Sequence, residues 1–349
     1  MTDDVYLAVR KLFESSPPWS PEGGWNESAG RELHTRAVAD GWSRVGVPEA
    51  LNGSGGERRE ALDVVRAVSA TGTPSPLADC LVVAGHLMRV SDMVYRPDAE
   101  TVVPCVPEDA PLELSGAEGA VSGARVRVPW ARWATHAVAP VRTPTGAGVA
   151  LFALDDRRIR RGENLAGEPS DLVDLEGARP VEHADVDLCF EDLSRGTRVE
   201  GALARSVQMT SAMRSTMELT ITHARGRVQF GKPLSSFQAI QQYLAEMAGE
   251  VDAAEAATRL AVDAEGGRRE TAVAVAKVRV GTSAGTVARI AHQVHGAVGV
   301  TQEYTLQRFT RSMWAWREEY GSERIWAEKV AAAAHGAEGQ LWEWVAGKS

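Results

Sequence analysis

The strongest constraint on the fold is a change of periodicity along the chain. From about residue 195 onward apolar residues recur at helical spacing. Leu203, Val207, Met213, Met217 and Ile221 mark one helix, and Ile240, Tyr243, Leu244, Met247 and Val251 follow the i, i+3, i+4, i+7 rule of a second. Ala272 to Val294, rich in Ala and Val and free of proline, is a third; Leu306 to Ala334 adds more helix, with Gly321 as its break. Consecutive helices with short connections must bury their apolar faces on one another, and a bundle does that.

The preceding sequence has two other textures. Residues 1 to about 95 read as helices with polar breaks. Val5, Leu7, Val9, Leu12 and Phe13 make a short amphipathic stretch ended by Pro17 and Pro18. A Gly/Pro-rich loop follows, then a helix from Ala29 to Trp42 with Leu33, Ala37 and Trp42 on its inner face, a loop through Gly56, and helical patterns at Ala61–Val68 and Leu77–Met88. Between about 98 and 190, short Val- and Leu-rich runs alternate with Gly, Pro and Ser, and Pro144-Thr145-Gly146 reads as a hairpin turn between Val138–Val141 and Val149–Leu154. This middle part is expected to be a small barrel or sandwich. The fold class is therefore α+β, with expected domains at 1–95, 96–192 and 193–349.

Composition narrows the function. With 44% hydrophobic residues in 349, a large core is available, and 24% charged residues argue against wholesale disorder. The net charge of −9 and the lack of basic residues interleaved with aromatics speak against a nucleic-acid surface. Cys80, Cys105 and Cys189 are odd in number and widely spaced, so neither a disulfide framework nor a thiolate zinc site is expected. The acidic start Met1-Thr2-Asp3-Asp4 has no apolar run behind it, and no stretch approaches a membrane span; the chain reads as cytoplasmic, without a membrane partner. His292 and His295 have no carboxylate ligand nearby and read as packing or capping residues, so no metal is expected. A Rossmann glycine fingerprint, a P-loop lysine motif and a G-x-S-x-G elbow are all missing.

Two segments carry a resemblance. The first is Arg227-Val228-Gln229-Phe230-Gly231-Lys232-Pro233-Leu234, followed by Phe237-Gln238-Ala239-Ile240; the second is Gln293-Val294-His295-Gly296-Ala297-Val298-Gly299-Val300-Thr301, followed by Glu303-Tyr304. In order and spacing they resemble the C-terminal bundle of the acyl-CoA dehydrogenases, and Val47-Pro48-Glu49 with Gly53-Ser54-Gly55 is similar to an early loop of that family. The resemblance implies an N-terminal helical domain, a middle β-barrel domain and a C-terminal four-helix bundle. It also implies FAD as cofactor, an acyl-CoA substrate and electron-transfer flavoprotein as acceptor. By resemblance, Arg227 would meet the pyrophosphate of a FAD held mainly by a neighbouring subunit, through the parallel donors of its guanidinium. Gln293, Gly296 and Gly299 would let backbone approach the cofactor, Gln238 would lie near the adenine end, and Phe230 belongs to the same cofactor-binding element.

Two features depart from the family pattern. The stretch expected to hold the isoalloxazine has only Val103-Pro104-Cys105-Val106-Pro107-Glu108-Asp109 as its nearest match, and either Trp130 or Trp133 would be the aromatic residue that stacks on the ring. Dehydrogenation also needs a carboxylate to take the α-proton. The resemblance puts Tyr320 or Gly201 at the two expected base positions, with Glu319 and Glu200 one residue away from each. A one-residue offset turns a helical side chain by about 100 degrees, and a phenol is a weak base near neutrality. The pattern resembles the non-catalytic subunit of the heteromeric α2β2 dehydrogenases of actinobacterial steroid degradation, a heterotetramer in which this chain would complete a neighbour's FAD site. Two other readings stay open: a self-sufficient dehydrogenase with Glu319 or Glu200 as a shifted base, and a structural partner without flavin. Trp314, Trp316, Trp326, Trp342 and Trp344 crowd the C-terminal region and read as packing or interface anchors.

Overall fold

A computed structural model describes the chain except for residues 1, 16–17, 20–23, 108–109, 116–118, 123–124 and 337–349, so Glu108, Asp109, Trp342 and Trp344 lie outside the described residues. The chain forms two compact units, Met1–Ala204 and Arg205–Ser349.

The first unit opens with α1 (Thr2–Ser15), α2 (Glu27–Ala39) and α3 (Arg58–Ala70). The helix expected over 29–42 is shifted toward the N-terminus. Asn26 caps α2 by accepting from the Ala29 N–H, and Gly41 at φ +83° stops it, so Trp42 falls in a separate 3₁₀ turn, Trp42–Arg44. A π-turn at Asp79–Ala84 leads into α4 (Gly85–Val90).

Among the described residues nine strands follow: β1 (Val102–Pro104), β2 (Leu112–Ser115), β3 (Ala120–Ser122), β4 (Arg125–Pro129), β5 (His136–Thr143), β6 (Gly146–Ala153), β7 (Ile159–Arg160), β8 (Ser170–Asp174) and β9 (Glu182–Val186). They form a six-stranded sheet, β3-β2-β5-β6-β9 with β1 also on β5, and a three-stranded sheet, β4-β8-β7. The hairpin at Pro144-Thr145 is in register, Thr143 opposite Gly146. β1 and β2 share the remaining edge of β5 end to end, both parallel to it. β5 is buried on both faces, as its apolar run requires. The two-residue period sends Ala137, Ala139 and Val141 to a cluster containing Trp130 and Trp133, and Val138 to one containing Leu87 and Met88.

The second unit holds most of the long helix α5 (Phe190–Gly226), then α6 (Gln238–Asp263), α7 (Arg269–His295), α8 (Leu306–Glu318) and α9 (Glu323–His335). The small hairpin β10 (Val228–Gln229) and β11 (Lys232–Pro233) separates α5 from α6. The core of this unit is built from Met213, Met247, Val251, Val280, Val287, Ile290, Phe309 and Met313, with many alanines between the helices. Small residues set close approach: a Cβ at Gly281 on α7 would lie 1.9 Å from the Glu323 side chain of α9. Gly321, at φ +103°, separates α8 from α9 as its position in the pattern requires. Trp316 and Trp326 are buried within this unit, while Trp314 faces outward beneath the Arg317 guanidinium.

Candidate cofactor and active-site residues

α5 runs out at Gly226, and the chain doubles back at once. The Arg227 N–H donates to the His223 carbonyl, and the Leu234 N–H donates to the Arg227 carbonyl, both at 2.9 Å. With Gln229 opposite Lys232, Phe230 and Gly231 form a two-residue turn with φ of +52° and +79°. Such a turn suits glycine. A phenylalanine there costs about 1–2 kcal/mol of backbone strain, and it is 90% exposed, with its ring edge-on to that of Phe237 at a centroid distance of 6.1 Å. Gln238 is exposed at the start of α6, directly after Phe237. One hairpin therefore groups Arg227, Phe230 and Gln238. Among the described residues, the Arg227 guanidinium meets no carboxylate.

The end of α7 lies against the same turn of α5. The His295 ring sits 4.3 Å from the His223 ring and 5.1 Å from Tyr304, and His223 is one helical turn before Arg227. Gln293 is exposed. Gly296 caps α7 at φ +64° and ψ −145°, a conformation nearly restricted to glycine, with open space where a Cβ would stand. Gly299 has a different role: a Cβ there would lie 2.9 Å from the His295 Cβ and 3.1 Å from Leu306, so this glycine allows internal packing rather than approach from outside. Burial holds the His295 imidazole near a pKa of about 4, hence neutral. Its Nδ1 donates to the Ala291 carbonyl at 2.8 Å, leaving Nε2 as a buried acceptor with no partner among the described residues. His292 instead meets the Thr310 hydroxyl at 3.1 Å. A free guanidinium, an open glycine cap, an exposed amide and an orphaned acceptor fit the anionic and hydrogen-bonding end of a dinucleotide such as FAD.

Glu319 is placed otherwise. It caps α8 with extended backbone, followed by Tyr320 at φ +55°. One carboxylate oxygen accepts from Arg205 Nε at 2.6 Å, and the Arg205 side chain is only 4% exposed. The guanidinium also donates to Gln208 Oε1 at 2.7 Å and lies over the Tyr320 ring. Buried Lys277, whose pKa burial lowers to about 8, donates to the Trp316 and Arg317 carbonyls at 3.0 and 2.8 Å and fixes the end of α8. Trp326 Nε1 donates to the Tyr320 carbonyl at 3.0 Å. To reach a substrate proton, Glu319 would have to give up its contact with a buried guanidinium.

Glu200, in the first unit, is clasped in the same way, accepting from Arg58 at 2.7 Å. Burial raises its pKa, against the opposing pull of Arg58 and Arg89. Gly201, at the other expected base position, is buried.

Neither candidate ring-stacking residue is open. Trp130 and Trp133 are 2% and 5% exposed. Trp25 stacks on Trp133 with ring centroids 6.3 Å apart and planes at 20°, Trp130 packs on Trp133 at 4.9 Å, and Trp19 packs on Trp25 at 5.5 Å. Trp133 Nε1 donates to Glu27 at 3.1 Å. Next to it, fully buried Asp171 accepts from the Arg132 guanidinium at 2.7 Å, the Arg132 N–H at 2.9 Å and the Gly162 N–H at 3.0 Å. Pattern reading singled out Trp130 and Trp133 but missed Trp19, Trp25, Arg205 and Arg58, whose partners are distant in sequence.

Residues 198–335 match the family model for the acyl-CoA dehydrogenase C-terminal domain. Acyl-CoA dehydrogenase IpdE2 of Mycobacterium tuberculosis is 24% identical over 330 residues, covering 92% of this chain and 88% of that protein. Glutaryl-CoA dehydrogenase of Desulfococcus multivorans is 35% identical over 172 residues, 48% of this chain and 38% of that one. Among solved structures, the ChsE4–ChsE5 complex from Mycobacterium tuberculosis superposes with a TM-score of 0.78 at 19% identity, over 95% of this chain and 96% of that one. The Tcur3481–Tcur3483 steroid ACAD superposes with a TM-score of 0.81 at 19% identity, over 97% and 98%. At such identities the structural likeness concerns the fold.

Proposed function

We propose that this chain, whose residues 198–335 match the family model for the acyl-CoA dehydrogenase C-terminal domain, is an acyl-CoA dehydrogenase homologue that serves as the partner subunit of a heteromeric acyl-CoA dehydrogenase. Its role is to complete the FAD site of a related catalytic chain rather than to run the reaction itself. The observation that carries this reading is an asymmetry among its charged groups: Glu319 and Glu200 are each clasped by an arginine, whereas Arg227 meets no carboxylate among the described residues.

The reaction is α,β-dehydrogenation of an acyl-CoA thioester. The chemistry supplied by bound FAD is acceptance of the β-hydride, and the α-proton goes to a carboxylate of the catalytic chain. In this chain Arg227 would pair with the pyrophosphate, Gln293 and the Gly296 backbone would approach the nucleotide, and Phe230 and Gln238 would extend the same surface. Gly299 keeps the loop beneath them packed against His295 and Leu306. The steroid named for one structural neighbour supports a steroid-derived acyl chain as substrate, and resemblance to the family supports electron-transfer flavoprotein as the acceptor.

The test is substitution in the co-expressed complex. A true general base contributes about 10²–10⁴-fold, so its loss is unmistakable. Glu319→Gln and Glu200→Gln are expected to leave kcat within about threefold of the parent, since neither side chain is asked to accept the proton. A hundredfold fall in kcat for either, with flavin still bound, would show that this chain supplies a shifted base.

A further inference from the structure

We propose that Trp25 is a built-in occupant of the ring-stacking position, so that an indole of this chain fills the place where its own isoalloxazine would lie on Trp133. This rests on the resemblance, which offers Trp130 or Trp133 as the stacking residue, and deepens the partner-subunit assignment by giving a physical reason for an absent ring site. The residues present do not fit a flavin ring. Trp25 already lies nearly parallel to Trp133, 20° between planes, and Trp130 covers another side of it.

The arrangement is constructed rather than a chance collapse of aromatic residues. On α2, a Cβ at Gly30 would stand 2.2 Å from the Trp25 ring, so the missing side chain there makes the seat for the indole. Glu27, on the same helix, holds Trp133 Nε1 at 3.1 Å and fixes the orientation of the lower ring. From the other side, Trp19 and Trp25 pair as an antiparallel bridge with rings 5.5 Å apart, and the Asn26 N–H donates to the Pro18 carbonyl at 2.9 Å. Gly30 of α2, the Trp133 ring and the Trp19 ring thus hold Trp25 from three sides. Opened, the slot would take a planar heteroaromatic ring.

The probe is lumiflavin, the ring system without ribityl or nucleotide, titrated into the full-length chain and followed by quenching of its fluorescence on stacking. The wild-type chain is expected to give no saturable quenching. Trp25→Ala is expected to bind at least about tenfold more tightly, the scale of one aromatic stack, and the second substitution Trp133→Leu is expected to remove that binding. Trp25→Leu, which keeps an apolar contact without a flat ring, provides the same comparison should the alanine variant not fold. Saturable quenching by the wild type overturns the proposal, as does a folded Trp25 variant that binds no better. The outcome is separable from that of the partner-subunit assignment, because lumiflavin reads neither the partner chain nor Arg227; failure of that assignment appears instead as retention of whole FAD by the isolated wild-type chain.

Discussion

Replacing Asp171 with alanine should destabilise the first unit by about 3–5 kcal/mol, the loss typical when one member of a buried ion pair is removed. Asp171 is fully buried and accepts from both the backbone and the guanidinium of Arg132, and from the Gly162 N–H. The Arg132 side chain is itself only 6% exposed, and a second acidic neighbour, Glu27, stands 3.5 Å away with its carboxylate shared with Trp133. The substitution therefore removes the closest carboxylate from a buried guanidinium and the acceptor from two N–H groups at once. Denaturant unfolding followed by tryptophan fluorescence reads this directly, because Trp130 and Trp133 flank Arg132. The double variant Arg132→Met/Asp171→Leu should recover most of the loss, since removing both charges costs far less than removing one. If Asp171→Ala unfolds within 1 kcal/mol of the parent, on the order of an ordinary surface change, the pair is not the brace described.

The second large effect is expected at Arg227. A guanidinium paired with a phosphate contributes about 1.5–3 kcal/mol as a charge-assisted bond, so Arg227→Ala should weaken FAD binding to the assembled enzyme roughly 10- to 100-fold. Arg227→Lys should fall between, keeping the charge but losing the fork. Among the described residues Arg227 has no carboxylate partner to strand, and the isolated chain should melt as the parent does. The measurement is flavin retained per complex after gel filtration, together with titration of FAD into the apo-complex. Unchanged retention in Arg227→Ala would separate Arg227 from the cofactor.

Much of this was legible in the sequence, because periodicity reports local burial. The break between α8 and α9 at Gly321 and the hairpin around Pro144-Thr145 both follow from residues that determine their own backbone. The limits of α2 were misread because its start depends on the Asn26 side chain and its end on Gly41, single capping residues outside the apolar pattern. At the site, the motif residues of α5, β10, α6 and α7 could be named from order and spacing. Their differing roles could not: Gly296 and Gly299 look equivalent in the motif, yet one faces open space and the other packs on His295. The clasp on Glu319 was out of reach, because Arg205 stands 114 residues away in sequence and no local rule pairs them. Trp25 was hidden for the same reason, its role being set by a glycine on the next helix and a tryptophan 108 residues on.

The central claim, that this chain completes a flavin site in another subunit and holds no ring of its own, is tested most directly by flavin stoichiometry. Purified alone, the chain should be colourless; co-purified with its catalytic partner, it should yield one FAD for each pair of unlike chains, none of it lost on Glu319→Gln. An isolated chain that purifies yellow with one FAD per chain, is bleached by an acyl-CoA, and loses that bleaching on Glu319→Gln would contradict the account.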